Sequence, residues 1–168
     1  TKSHLQLPKT AIFILGCIFF PLCITITLLV MDPLRYNFTG ILNIPSLRPF
    51  AILFALLYGK FIFLLLPQSN KASYLYLFFW IAGVLTPYAK GFLAGQFHLF
   101  FALAGFTFLQ VAMVSLLVKK QTFAKLYFAM CFLASLLTMT FSSITGYTEI
   151  IYGAGLSILL TLAYMHKI

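Results

Sequence analysis

The chain has 168 residues, of which 62% are hydrophobic and 8% charged, with eleven Lys and Arg against two acids. Soluble domains carry roughly 25% charge, and a globule of this size could not hide so much apolar surface. Together with a mean hydropathy of +1.06, this excludes a soluble enzyme, a disordered tail and a secreted disulfide scaffold, and leaves an all-α polytopic membrane protein.

A span needs about 20 apolar residues, and six such runs fit. The first is expected over 10–31, with Pro21 as a kink; it has no small-residue cleavage site, so no signal peptide is expected. A long polar loop over 32–46 follows, with two prolines, a glycine and two asparagines. It has room for a small structure of its own. The second run is 47–66, the third 73–94, the fourth 97–118, the fifth 122–144 and the sixth 148–165. Alternating polarity is absent, which argues against a β-barrel, and a backbone in lipid must satisfy itself, which leaves helices. The expectation is a single six-helix transmembrane domain over 1–168. No internal repeat is visible, so an inverted-repeat transporter gains no support.

The cations orient these spans. With the N-terminus cytoplasmic, Lys2, Lys9, Lys71, Lys119, Lys120, Lys125 and Lys167 fall inside, and Arg35, Arg48 and Lys90 fall outside. Lys60 lies in the second span and snorkels inward. The bias predicts both termini inside, in a bacterial inner membrane. The positives are dispersed, so no nucleic-acid partner is expected. Tyr74, Tyr76, Tyr88, Tyr127, Tyr147 and Tyr164, near span ends, suit interfacial belts. Cys17, Cys23 and Cys131 fall inside apolar runs and read as small hydrophobes.

Orientation gathers the scarce polar groups at the outer end. Asp32 closes the first span and Glu149 opens the sixth; these are the two acids of the chain. His98 enters the fourth span from the same end. Arg35, Asn37, Lys90 and Tyr147 flank them. Ionisable groups at membrane depth tend to face the bundle interior and mark a functional path. His98 and Glu149 are therefore expected to pair across two helices, either as a structural lock or as a ligand or acid–base site. Asp32, Arg35, Asn37, Lys90 and Tyr147 are added as ligand contacts. Gln110 and Thr107 are expected to hydrogen-bond within the bundle.

Other chemistries find too few parts. Haem needs two axial histidines within spans, and His4 and His166 lie at the cytoplasmic ends. A zinc site needs three or four ligands, and His98, Glu149 and Asp32 show no motif spacing. Ser142 or Ser143 with His98 and Glu149 would supply a hydrolase triad, but no GxSxG is present. Magnesium phosphotransfer needs clustered acids. No cofactor and no metal are expected. Asn37-Phe38-Thr39 matches a glycosylation sequon.

The order of features (YNFTGILN in the outer loop, GVLTPYAKG ending the third span, GQFHLFFALAGFTFL opening the fourth, GYTEIIYGAGLSILLTLAY forming the sixth) resembles the six-helix prokaryotic family catalogued as domain of unknown function 998. That family is similar to the eukaryotic FGF-receptor-activating and DRAM/Sfk membrane families. Where it carries a Ser-Glu-Leu-Gly-like signature, this chain has Phe38-Thr39-Gly40 without the acid. Where its sixth span opens on glycine and a polar pair, this chain has Gly146, Thr148 and Glu149 with no arginine following. His98 is the residue the resemblance carries over best. The eukaryotic relatives are tied to lipid remodelling, GPI-anchor maturation and sterol or phosphoinositide homeostasis, so the resemblance implies a lipid-facing role. The expected function is an outward-facing polar pocket for a lipid or other amphiphile. The alternatives are a membrane enzyme using His98 and Glu149, a small carrier or channel, and a structural subunit with a membrane-protein partner.

Overall fold

The structure, a computed structural model, describes residues 7–89, 91–117 and 121–166, and every regular element among them is helical. The helices are α1 (Lys9–Val30), α2 (Phe38–Leu42), α3 (Arg48–Leu65), α4 (Lys71–Leu85), α5 (Leu93–Leu117), α6 (Gln121–Phe141) and α7 (Gly146–Met165). Five of them, α1, α3, α5, α6 and α7, are long and apolar enough to cross a membrane.

The third expected span is shorter than 73–94. Helix α4 has 15 residues and rises about 22 Å, against roughly 30 Å of hydrocarbon. It stops because Pro87 drives the preceding residue out of the helical region. Thr86 is extended at ψ 119°, and its hydroxyl donates to the Ala82 carbonyl at 2.7 Å. Helix α5 then starts at Leu93, ahead of the expected position 97.

Pro21 leaves its mark in α1 as a change of helical register. The segment Ile14–Phe19 is wound as π-helix and Phe20–Val30 as α-helix. The Phe20 amide reaches back five residues to the Leu15 carbonyl. In that register position 21 would bond the Gly16 carbonyl, but proline has no N–H to give. Ser157 of α7 fills the vacancy, its hydroxyl donating to the Gly16 carbonyl at 2.9 Å. A Cβ on Gly16 would stand 1.8 Å from the Thr161 hydroxyl, so α1 and α7 meet here without room for a side chain. Helix α7 has its own π segment, Ile150–Ala154, whose Gly153 carbonyl accepts from the Tyr58 hydroxyl of α3 at 2.7 Å.

The α3–α4 contact follows the same plan of ring donors meeting backbone carbonyls. Trp80 donates its indole N–H to the Ala55 carbonyl at 2.8 Å, and the Tyr76 hydroxyl donates to the Gly59 carbonyl at 3.4 Å. A Cβ on Gly59 would fall 2.1 Å from the indole. Tyr76 is therefore buried in the core and not in an interfacial belt. Helix α5 lies along α4, while α6 is peripheral, touching mainly α7 and exposing Phe128, Phe132 and Met139.

Candidate functional site

The loop between α1 and α3 is folded onto the first turn of α7. It begins with a turn at Asp32, which adopts φ +66°, a conformation that Asp tolerates better than most residues. The Asp32 carbonyl accepts from the amides of Arg35 and Tyr36, each at 3.0 Å. Arg35 pairs with the Asp32 carboxylate at 3.4 Å. Both side chains are well exposed, so the pair contributes little stability.

Three bonds between residues distant in sequence tie the loop down. The Gly146 amide donates to the Pro33 carbonyl at 2.8 Å. Asn37 caps α2, its side-chain oxygen accepting from the Gly40 amide at 2.8 Å, while its side-chain nitrogen donates to the Ile144 carbonyl at 3.0 Å. The Phe38 amide donates to Glu149 Oε2 at 2.5 Å. Both the oxygen and the nitrogen of the Asn37 side chain in the sequon are thus hydrogen-bonded. On the other side Thr145 caps α7, accepting from the Thr148 amide at 3.4 Å.

Glu149 is half-buried, and among the described residues its Oε1 has no hydrogen-bond partner and its carboxylate no cation. Below it runs a ladder of rings. Phe38 stacks on Phe54 with centroids 5.8 Å apart, and Phe54 on Tyr58 at 6.5 Å. Phe20 of α1 meets Phe54 and Tyr58 edge-on. Glu149 and Gly153, one helical turn apart on α7, thus face the top and bottom of this ladder through Phe38 and Tyr58.

His98 does not join this group. Its Nδ1 lies 2.8 Å from the Thr86 carbonyl; the carbonyl only accepts, so Nδ1 carries the hydrogen. The ring is buried, edge-on to Tyr88 at 5.6 Å. Among the described residues no hydrogen bond or ion pair links His98 to Glu149, and the expected pairing is corrected to two separate backbone contacts. The cause is the early end of α4, which leaves an orphan carbonyl within reach of the first turns of α5. Tyr147 is partly exposed. Lys90 lies outside the described residues.

The most developed polar cluster inside the bundle joins α5, α6 and α7, of which residue type alone singles out Gln110. Gln110 of α5 donates to the Tyr152 hydroxyl at 2.9 Å, Tyr127 of α6 donates to the Gln110 carbonyl oxygen, and the two tyrosine hydroxyls lie 3.2 Å apart. Tyr127 is thus buried and not interfacial. Thr107, beside Gln110, bonds only the Leu103 carbonyl of its own helix, at 2.8 Å. The available signal was Gln110 in the middle of an apolar run, where a buried amide needs partners such as a tyrosine hydroxyl. Among the described residues no three His, Cys, Asp or Glu side chains gather as a metal site.

Comparison of the chain with protein-family models, with curated proteins and with solved structures finds no match in any of the three.

Proposed function

We propose that the chain is a multi-pass membrane protein that binds the polar part of a lipid or other amphiphile at the end where the α1–α3 loop meets α7. The observation that carries this reading is Glu149: a half-buried carboxylate on the first turn of a membrane-length helix, strapped to a loop amide and holding no cation among the described residues. Charge without a protein partner at the edge of a membrane suits a ligand that brings its own polar group. Half-buried aromatic rims beside it suit the apolar part of the same molecule.

The six-crossing topology belongs to this proposal. Helix α4 crosses with the help of the extended residues that follow it, and local thinning or snorkelling absorbs the mismatch. Lys9, Lys71 and Lys125 then share one side, opposite Arg35 and Arg48, which supports cytoplasmic termini and a cell-membrane location. Kinship with the domain of unknown function 998 family is part of the same proposal. An acid–base enzyme built on His98 and Glu149 is not favoured, because each side chain is committed to a different backbone group.

The test is native mass spectrometry of protein released in mild detergent. The reading requires a lipid or amphiphile adduct on the wild type that Glu149→Ala loses. A wild type with no adduct beyond what an unrelated membrane protein of the same size retains refutes it.

A further inference from the structure

We infer that the amphiphile's headgroup is a protonated primary amine, as in an ethanolamine phospholipid. The inference rests on the proposed site at Glu149 and names its ligand class.

The two oxygens of the carboxylate have different fates. Oε2 accepts from the Phe38 amide; Oε1 is left without a donor among the described residues. A carboxylate is an acceptor only, so whatever completes it must carry N–H or O–H. An anionic headgroup would bring only like charge to the carboxylate, whereas in a zwitterionic ethanolamine headgroup the ammonium offsets its own phosphate and can face the carboxylate. The cation nearest in sequence on the loop, Arg35, is turned back onto Asp32. Arg48, at the start of α3, is exposed and forms no ion pair among the described residues. The charge missing at Glu149 is therefore positive, and the described residues do not supply it.

The surroundings narrow the class further. A primary ammonium forms a short, charge-assisted bond to a carboxylate oxygen. A trimethylated choline has no N–H to offer. Phe38, whose amide is bonded to the carboxylate, stacks its own ring on Phe54, so apolar surface belongs to the same loop contact. A small hydrated cation gains nothing from that apolar wall, whereas an amine attached to acyl chains gains from both parts.

The experiment uses the full chain in nanodiscs of equimolar phosphatidylethanolamine and phosphatidylglycerol, followed by native mass spectrometry of the lipids retained on release. The wild type is expected to retain the ethanolamine lipid over the glycerol lipid by about tenfold, the scale of one hydrogen bond to a charged group. Glu149→Gln keeps an oxygen for the Phe38 amide and removes the charge, so it is expected to stay folded by circular dichroism and lose the preference. Phosphatidylcholine in place of the ethanolamine lipid is expected to be retained no better than phosphatidylglycerol. Equal retention of all three lipids by the wild type, or a preference unchanged in Glu149→Gln, overturns the amine inference while leaving amphiphile binding standing. Displacement of the bound lipid by free ethanolamine at the same amine concentration overturns the lipid source in favour of a soluble amine. Absence of any retained lipid on the wild type overturns the amphiphile reading itself.

Discussion

The Ser157 hydroxyl reaches the Gly16 carbonyl at 2.9 Å across 141 residues of sequence, joining the first and last long helices at the point where Pro21 withholds an amide. Two features depend on that contact. The π segment of α1 keeps its carbonyl satisfied away from water, and the two helices approach so closely that Thr161 lies against Gly16 with its hydroxyl buried and without a hydrogen-bond partner among the described residues.

Gly16→Ala is therefore expected to destabilise the protein by about 1–3 kcal/mol, the range for overpacking a close-packed site. The added methyl would fall 1.8 Å from the Thr161 hydroxyl, 2.8 Å from its Cβ and 2.9 Å from the Phe61 ring. Thr161→Ala removes the worst of these clashes and leaves the others, so the double variant should recover part of the loss. Thermal unfolding of the four proteins in one detergent measures the coupling directly.

The Gln110, Tyr127 and Tyr152 cluster should behave as a unit. Each single change, Gln110→Leu, Tyr127→Phe or Tyr152→Phe, leaves at least one of the other polar groups short of a partner. The expected cost is about 0.5–2 kcal/mol each. Because one change already breaks the ring, Tyr127→Phe with Tyr152→Phe should cost less than the sum of the two. Additive losses in a double-mutant cycle would mean that the three bonds act independently.

Much of the framework is legible from apolar run length alone, since α1, α3, α5, α6 and α7 each hold enough consecutive apolar residues to register. Helix α4 is not, because Thr86-Pro87 sits inside a run whose average hydropathy continues past it, and a hydropathy window does not feel one steric rule at one residue. Pro21 could be flagged, but not its consequence, since the compensating donor comes from the far end of the chain. The site was legible as an end of the bundle and not as a geometry. Charge and topology put His98 and Glu149 at one end, yet their partners depend on helix azimuth and on the path of the loop, which residue types do not encode. Tyr76 and Tyr127 are buried for a related reason: an amphipathic ring near a span end suits an interface, unless a neighbouring helix offers an acceptor, as Gly59 and Gln110 do.

His98 closes the connection between α4 and α5. His98→Ala leaves the Thr86 carbonyl without its donor and opens space beside Tyr88, with an expected cost of about 1–3 kcal/mol. Amide exchange at the C-terminal turn of α4 should accelerate. Because the ring is bonded away from Glu149, lipid retention at fixed folded concentration should match the wild type. A loss of retention in a protein that remains folded would return His98 to the site.

Asn37 performs two tasks that substitution can separate. Its oxygen caps α2 and its nitrogen holds the Ile144 carbonyl. Asn37→Asp keeps an acceptor for the Gly40 amide and loses the donor; its new charge also faces the Ile144 carbonyl. Asn37→Ala loses both bonds. Removing an N-cap costs about 0.5–2 kcal/mol, but a helix of five residues has little stability of its own to lose, so the loop's attachment to α7 should dominate. Both variants are then expected to loosen the loop to a similar degree, read as faster proteolysis between α1 and α3, with Glu149 less protected from a carboxyl-modifying carbodiimide reagent. If Asn37→Asp instead resists proteolysis like the wild type, the cap and not the Ile144 bond holds the loop in place. The Phe38–Glu149 contact would then stand without that tether.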